Sequence, residues 1–363
     1  MASWLNSRNI QLIAMESTGV YWRPVWNLLE SHFDIKLANS EHIRNLPGRK
    51  TDKKDGEWIA KLLQHNLVPT SFIPPKPIRE LRDLTRSRTK LVQGRSAVAN
   101  RIQKVLEDAN IKLDSVVTDL LGLSGRRILD ALVKGQTTPA VLAALADGRI
   151  RATGEELTAA LHGRVTSHHR FLVKLHLDQI DAIAQAIASI DKEVDSQVEP
   201  FLQPAQMLIA IPGLGPLAAL VVLAEIGLDM SHFPSAAHLI SWAGLCPRND
   251  ESAGKRRSTR MRNGAPWLKT VLIQCAWAAA RTKGCYFQSL YHRLRSRRGA
   301  KKAIGAVAAS LLTTIYHMLK NGTLYDDLGA NYFDQKATDR QAMRLINRLH
   351  TLGYQAHIEQ KTA

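Results

Sequence analysis

Asp52 and Asp55 lie among basic residues in the stretch GRKTDKKDGEWIAKLL, residues 48–63. Asp52 and Asp55 are three positions apart, so a helix here would carry both on one face. Carboxylates beside a polyanion can hold Mg²⁺, because a hard divalent cation prefers carboxylate and phosphate oxygens. The same spacing also resembles a capping box, with Asp52 as the helix N-cap. The local sequence leaves both roles open. A third carboxylate, Glu16, ends the apolar run IQLIAM and is the other candidate ligand.

A serine lies in the cationic stretch NDESAGKRRSTRMRNG. Ser252 precedes Gly254 and Lys255, and its hydroxyl is a candidate nucleophile on a phosphodiester if a base, a metal ion or a phosphate clamp activates it. The alternative role is a turn or phosphate-contacting residue, and Ser258 is the second candidate nucleophile. We expect a flexible loop here, whose phosphate-binding residues are Lys255, Arg256, Arg257, Arg260 and Arg262.

The segment LIAIPGLGPLAALVVLAEIG has two apolar halves around a Pro-Gly turn. This pattern predicts a helix-hairpin-helix, in which Gly213 and Gly215 expose backbone N–H groups to a phosphate beside a helix N-terminus. Pro-Gly turns also join helices that bind nothing, so a purely structural turn stays open.

The overall charge favours a polyanionic partner. The 363 residues include 49 Lys and Arg against 32 Asp and Glu, a formal net charge of +17. Arginine is clustered, as in KRRSTRMR and RLRSRR, and its guanidinium group matches phosphate geometry. Nucleic acid is therefore the first expectation.

Other patterns argue against a membrane or secreted protein. No uninterrupted apolar run approaches the roughly 18 residues of a membrane span, and MASWLNSRNI lacks the apolar core of a secretory signal. Cys246, Cys275 and Cys285 show no CxxC spacing and are expected to be core residues of a reduced, cytoplasmic protein.

The predicted fold class is α/β plus α. Residues 11–37 predict a strand, a helix and a second strand, followed by a helix to about Asn66 and the Pro-rich linker NLVPTSFIPPKP. Later segments predict an Ala-rich helix over 267–281, an apolar helix over 303–320 and a polar, weakly packed tail over 331–363.

Two long helices are predicted in the middle of the chain. In the first, from Ile78 to about Asn110, apolar residues recur every seven positions at Leu84, Leu91, Val98 and Val105. They form an apolar seam that is interrupted by basic residues. A second seam is formed by Ile180, Ile183, Ile187, Ile190 and Val194. The seams predict a coiled coil that pairs internally or with another subunit; ordinary amphipathic helices on a globular core are the alternative.

Together, MESTGVYW, KTDKKDGEWIAKLL, IPGLGPLAALVVLAEIG and SWAGLCPRNDESAGKRRSTRMRNGAPWLK resemble one family over nearly the whole chain. These motifs are similar to those of DEDD-type insertion-sequence transposases of the IS-one-ten kind, including its one-eleven-eleven branch. The resemblance implies a RuvC-like metal domain over residues 1–75, a helical coiled-coil region over 76–200 and a transposase domain over 201–330.

The resemblance also implies roles for particular residues. Glu16, Asp52 and Asp55 match the family's carboxylates, which hold Mg²⁺, and Ser252 matches its serine nucleophile. The implied partners are donor and target DNA, a structured guide RNA and further copies of the chain in a dimer or tetramer. The implied location is the nucleoid.

One family residue has no counterpart. The first aspartate, in an N-terminal strand reading roughly G-I-D, would precede Glu16 by some tens of residues, and the 15 residues before Glu16 contain no acid. The resemblance therefore predicts an N-terminally truncated chain. A remnant that binds nucleic acid without catalysis is the alternative function.

The separation of the carboxylates from Ser252 suggests a shared active site. A helix of about 30 residues spans roughly 45 Å. We therefore expect the long helices to carry the serine domain away from its own metal domain and towards that of a partner subunit.

The charge makes one prediction testable without any structure. Affinity for DNA and structured RNA should fall steeply with salt between about 50 and 200 mM, because each neutralised phosphate releases counterions. Fluorescence anisotropy at several salt concentrations measures the slope of log K against log salt. A flat slope would contradict the electrostatic argument.

Overall fold

The computed structural model describes residues 1–17, 19–38, 55–68, 71–248, 250–258 and 260–355. Within these ranges it describes the backbone alone at residues 55, 250–252, 256, 257, 334, 336–341 and 344. The chain divides into two compact units, Met1–Lys76 and Pro77–Ala363. Asp52 lies outside the described residues.

The first unit is built around a two-stranded parallel sheet. Its elements are α1 (Ala2–Asn6), β1 (Leu12–Glu16), α2 (Trp22–Leu29), β2 (Asp34–Ala38) and α3 (Asp55–Gln64). The strands pair in register from Leu12 opposite Asp34 to Glu16 opposite Ala38, and α2 makes the crossover that a parallel pair requires. The predicted strand–helix–strand order over residues 11–37 is confirmed.

Two long helices of the second unit run antiparallel. They are α4 (Lys76–Asp108) and α9 (Ser167–Gln197). The Arg88 guanidinium donates to both carboxylate oxygens of Asp191, at 2.6 and 3.2 Å, and His169 Nε2 lies 2.9 Å from Asp108 Oδ2. These contacts show that the two helices lie side by side within the chain. The coiled-coil pairing of the two seams stays a prediction.

The two ends of this helix pair belong to different hydrophobic clusters. Near Val98 and Ile180 the pair packs with four short helices, which are α5 (Leu113–Val116), α6 (Leu123–Val133), α7 (Pro139–Ala143) and α8 (Gly154–Ala160). At the other end Ile78, Leu81 and Val194 join one larger core. Since α4 leaves this core and α9 returns to it, the two long helices do not separate the parts of the second unit that they connect. The separation of the serine domain from the metal domain stays a prediction.

The larger core lies in the remaining part of the second unit. Its helices are α10 (Leu202–Ile209), α11 (Pro216–Ile226), α12 (Ala236–Trp242), α13 (Pro266–Ala279), α14 (Tyr286–Arg298) and α15 (Ala300–Asn321). At the centre is α15, which contacts α12, α13 and α14. By length and composition it could cross a membrane, but its buried face is the middle of this core. That face consists of Ala303, Ile304, Val307, Ala308, Leu311, Leu312, Ile315, Tyr316 and Met318.

Helix α4 is fastened to α11 by two arginines. Arg82 donates to the carbonyl oxygens of Ala224 and Glu225, at 2.8 and 3.0 Å, and so satisfies carbonyls that the end of α11 leaves unpaired. Arg86 donates to both carboxylate oxygens of Glu225, at 2.7 and 2.8 Å. The Glu225 side chain is only 1% exposed, so this pair fixes α4 on the core.

The expected flexible loop around Ser252 is corrected to a hairpin, whereas the weak packing of the tail over 331–363 stays a prediction. The region 243–265 contains a β-hairpin, of strands β3 (Asp250–Ser252) and β4 (Lys255–Ser258). The tail contains α16 (Tyr332–Thr351), whose first turn is held by aromatic contacts: the Phe333 ring stacks on Tyr286 at 5.3 Å between centroids.

Two of the three cysteines are core residues, as predicted. Cys275 and Cys285 are buried, whereas Cys246 is half-buried. Burial raises the pKa of the Cys275 thiol to about 11, because the apolar surroundings disfavour the thiolate. This cysteine is therefore an inert packing residue.

Replacing Glu225 tests the fastening of α4. Glu225→Ala should lower the free energy of unfolding by about 3 kcal/mol, because Arg86, whose side chain is 31% exposed, would lose two charge-assisted hydrogen bonds to a buried carboxylate. Asp191→Ala is the matched control, since it removes the partner of Arg88 where the carboxylate is 44% exposed, and should cost about 1 kcal/mol or less. Urea unfolding followed by circular dichroism measures both. Equal losses would contradict a special role for Glu225.

Candidate catalytic and nucleic-acid-binding site

Glu16 stands at the carboxyl end of β1, directly opposite the last residue of β2. The backbone continues this pairing, because Ser17 N–H donates to the Ala38 carbonyl at 2.9 Å. Its side chain is half-buried. The carboxyl ends of parallel strands meet at one sheet edge, where α/β folds place ligands. The structure thus puts this predicted ligand at a strand end, as the sequence indicated.

Asp55 is the first residue of α3, and α3 packs on the same strand end. Leu62 of α3 is buried against Ala38, and Trp58 and Ile59 pack around it. Position 55 precedes Trp58 by three residues, Ile59 by four and Leu62 by seven in the helix. The predicted helix after the acidic stretch is confirmed over Asp55–Gln64.

The convergence of the three carboxylates stays a prediction. The side chains of Asp52 and Asp55 lie outside what the structure describes, and among the described side chains there is no cluster of three metal-ligating groups. The donor set itself, three carboxylates, fits a hard divalent cation. A capping role for Asp52 is likewise untested.

Ser252 is the last residue of β3, next to the hairpin turn. It pairs with Lys255 across a two-residue turn, in which Ala253 has φ 51° and Gly254 has φ 74°. Positive φ at both central residues is the geometry of the tight turns that match strand twist. Alanine is strained in this region, and such outliers cluster at functional sites. The turn presents position 252 at the end of the hairpin.

The neck of the hairpin is a close crossing of two backbones. Arg248 N–H donates to the Arg260 carbonyl at 2.8 Å, and Arg262 N–H donates to the Cys246 carbonyl at 3.2 Å. Below these bonds a Cβ added at Gly264 would lie 2.4 Å from the Gly244 nitrogen. No side chain fits at this crossing, so the hairpin emerges from a fixed base.

The neck also rests on two core helices. Lys269, in the first turn of α13, donates to the Arg262 carbonyl at 3.0 Å. The Met261 sulfur lies 3.1 Å from where a Cβ of Gly305, on α15, would be. These contacts fix the position of the hairpin neck relative to the core.

The two candidate serines occupy different places. Ser258 is half-buried and its Oγ accepts a hydrogen bond from Arg260 N–H at 3.2 Å. That bond gives Ser258 a turn-forming role near the neck. Lys255, Arg260 and Arg262 are exposed, and the side chains of Arg256 and Arg257 lie beyond the described part.

The glycine turn connects α10 to α11. A Cβ on Gly213, which has φ +88°, would lie 2.5 Å from the Cys275 carbonyl and 2.6 Å from the Ala279 nitrogen. Close packing on α13 therefore requires a glycine there whether or not a phosphate binds. Gly215 is the N-cap of α11, and a Cβ there would meet open space. Phosphate contacts by both glycines stay a prediction.

Sequence reasoning missed the hairpin and the partners of Glu225. The hairpin strands are polar throughout and lack the apolar alternation of a half-buried strand. The two-residue Ala-Gly turn between them was the available signal. Arg86 and Glu225 are separated by 139 positions, and a single sequence offers no signal for such a pair.

Two family models match this chain, and both describe transposases. A model of DEDD transposases matches residues 2–111, which include the first unit and α4. A model described as the transposase IS116/IS110/IS902 family matches residues 205–292, which include the glycine turn and the serine hairpin.

Curated relatives agree with these matches. A probable family 20 transposase of Pseudomonas aeruginosa is 24% identical over 325 residues, which is 86% of this chain and 85% of that protein. An insertion element IS110 protein of Streptomyces coelicolor is 27% identical over 305 residues, 77% of this chain and 73% of that protein. A pilin gene-inverting protein of Moraxella bovis is 32% identical over 125 residues, 34% of this chain and 38% of that protein.

The carboxylate-bearing unit and the serine hairpin thus both fall in segments typical of DNA transposases. The chain belongs to the IS110 family of insertion-sequence transposases. The family recognition made from the sequence motifs is confirmed.

The Gly264 crossing makes a testable prediction. Gly264→Ala should lower the melting temperature and loosen the hairpin, because its Cβ would overlap the Gly244 backbone. Gly254→Ala is the matched control, since no atom lies within 4 Å of a Cβ there and only its positive φ adds strain, about 1 kcal/mol. Differential scanning calorimetry compares them. A smaller loss for Gly264→Ala than for Gly254→Ala would contradict the crossing as the fixed base.

Proposed function

We propose that this chain is a DNA transposase that cleaves and joins DNA through a covalent Ser252–DNA intermediate, assisted by a divalent cation. The observation that supports the proposal is that the two transposase models match two separate segments of the chain, and that each segment contains part of the candidate site. Residues 2–111 contain Glu16, Asp52 and Asp55, and residues 205–292 contain Ser252. Each half of the chemistry therefore lies in a segment matched by a transposase model.

The proposed step is a substitution at phosphorus. Ser252 Oγ forms a bond to the phosphorus of the scissile phosphodiester, and the bond from phosphorus to one deoxyribose oxygen breaks. The hydroxyl proton is transferred, through solvent or a neighbouring base, to the oxygen that leaves. Attack by a DNA hydroxyl on the phosphoserine reverses these changes and joins the new strand.

The carboxylates are proposed to hold the cation. Glu16, Asp52 and Asp55 supply oxygen ligands suited to Mg²⁺. When bound, such a cation withdraws charge from the phosphate and stabilises the leaving oxygen. The basic residues Lys255, Arg260 and Arg262 would hold the flanking phosphates, and their exposure on the hairpin supports this role.

We also propose that a structured RNA guides the enzyme. The resemblance motivates this proposal, and the net charge of +17 supports it. The exposed arginines at the end of α14, which are Arg295, Arg297 and Arg298, offer phosphate-binding surface in addition to that of the hairpin region.

Serine variants test the nucleophile. With DNA carrying the element ends and the RNA transcribed from its flank, Ser252→Ala should abolish covalent protein–DNA adducts and strand transfer. Ser258→Ala is the matched control and should retain most activity, because Ser258 serves the turn. Denaturing gels with labelled DNA report the adduct. Adducts in Ser252→Ala, and none in Ser258→Ala, would make Ser258 the nucleophile.

A mixing experiment tests whether the site is shared between subunits. The two halves of the chemistry belong to separate compact units, which can meet within one chain or between chains. Ser252→Ala and Asp55→Asn should each be inactive, since an amide is a poor Mg²⁺ ligand, and their mixture should form adducts on the Asp55→Asn chain. An inactive mixture of two folded variants that co-assemble would contradict a shared site.

A further inference from the structure

A cavity of about 260 Å³ lies between α4, α11 and α13. Trp267, at the start of α13, forms one wall, and apolar side chains including Leu217 and Val221 form another. Two helices add hydroxyl and amide groups to the lining. These groups belong to Thr89 and Gln93 on α4 and to Thr270 and Gln274 on α13. The lining therefore combines an aromatic face, apolar side chains and neutral hydrogen-bonding groups with the charged side chains of Arg86, Arg88 and Glu225.

The charges around the cavity are largely committed to each other. Arg86 donates through two of its nitrogens to Glu225, and Arg88 donates in the same way to Asp191. The charge of each guanidinium is therefore compensated by a carboxylate, while each guanidinium keeps further N–H donors. An anionic group would gain less from these compensated charges than from a free cation.

Lys90 is the cation still available at this site. Its ammonium lies 5.2 Å from the Trp267 ring centroid, to which the Arg86 guanidinium also lies close, at 5.6 Å, and it forms no ion pair with any described residue. The lysine side chain is flexible, so a planar base could replace the ammonium on the ring while the ammonium binds the phosphate of that base.

The amide groups also have unused hydrogen-bonding capacity. Gln93 and Gln274 are exposed, and in the described part of the chain their side chains make no hydrogen bond. Each side-chain amide offers donors and an acceptor, which matches the edge of a nucleobase. A peptide partner would instead be expected to use the exposed backbone edge of a strand or a longer apolar groove.

The cavity is joined to the serine hairpin through one helical turn. Lys269 holds the hairpin neck by its bond to the Arg262 carbonyl, and Trp267 lies two residues earlier in α13. The cavity wall and the support of the hairpin neck therefore belong to the same turn of α13.

We propose that this cavity takes an unstacked nucleobase, which stacks on Trp267 while Lys90 binds its phosphate and Gln93 and Gln274 bind its edge. The inference rests on the proposed nucleic-acid function and adds a base-binding site to it. Stacking on aromatic side chains is sequence-tolerant and is worth about 1–3 kcal/mol per base. Enzymes that act on nucleic acid commonly remove a base from the helical stack in this way.

Photocrosslinking tests the site directly. The full chain is incubated with short single-stranded DNA in which 5-iodouracil replaces one thymine, because this base crosslinks efficiently to an aromatic ring on which it stacks. After irradiation, the modified peptide is identified by mass spectrometry. Crosslinks should map to Trp267, persist in Trp267→Phe, which keeps a ring, and disappear in Trp267→Leu.

A matched control is available on the same helix. Trp277 is 36% exposed and packs on Tyr291, so Trp277→Leu should leave the Trp267 crosslink unchanged. Affinity for single-stranded DNA should fall about tenfold in Trp267→Leu. Gln93→Ala should weaken binding less and, being an exposed change, should not disturb folding.

Each outcome separates the two proposals. The base site would be overturned if DNA bound in a salt-dependent way but crosslinked elsewhere than at Trp267, and if Trp267→Phe and Trp267→Leu bound DNA equally well. The transposase function would remain intact in that case. An absence of any nucleic-acid binding would overturn both. If Trp267→Leu does not fold, the location of the wild-type crosslink decides the question.

Discussion

The fold of the second unit depends on a carboxylate that the core almost completely covers. Glu225 sits in the last turn of α11, and its charge is stable there because Arg86 donates to both of its oxygens while Arg82 satisfies the carbonyls at the helix end. An unpaired charge in this position would cost several kcal/mol. The pair therefore specifies one placement of α4 on the core, and with it the direction in which α4 and α9 extend.

The same core positions the candidate nucleophile. Helix α15 is buried along one side and contacts the helices on which the hairpin neck rests. The neck is held by backbone hydrogen bonds and by the Gly244–Gly264 crossing, and these need no particular side chain at the hairpin end. The neck therefore places no requirement on the side chains at positions 252 and 255. A fixed base below a short hairpin would suit the proposed attack by Ser252, because such a reaction needs its nucleophile held in one geometry.

Sequence periodicity was sufficient for much of this architecture. The strand–helix–strand order of the first unit, the helix that begins near Asp55 and the two long helices all follow from local apolar spacing, because each element buries one face. The hairpin was not predicted from the sequence, because its strands are polar and its stability comes from the Ala253–Gly254 turn and the neck. The antiparallel course of α4 and α9 depends on pairs such as Arg88–Asp191, which are distant in sequence.

The candidate site was predicted by motif resemblance more than by physics. Local chemistry left Asp52 and Asp55 between capping and metal binding, and left Ser252 between a turn residue and a nucleophile. The family matches identify a transposase, and the geometry adds that Ser258 has a turn hydrogen bond whereas Ser252 ends a strand at the hairpin turn. The cavity beside Trp267 could not be foreseen, since it is formed by three helices remote in sequence.

The central claim is that Ser252, held out by the hairpin, becomes covalently bonded to DNA. The most direct measurement is mass spectrometry of the nuclease-trimmed, protease-digested adduct of the wild-type chain, which identifies the modified residue. The account predicts a nucleotide attached to Ser252 Oγ through a phosphodiester. A nucleotide on any other residue, or strand transfer with no covalent adduct under conditions that trap one, would contradict it.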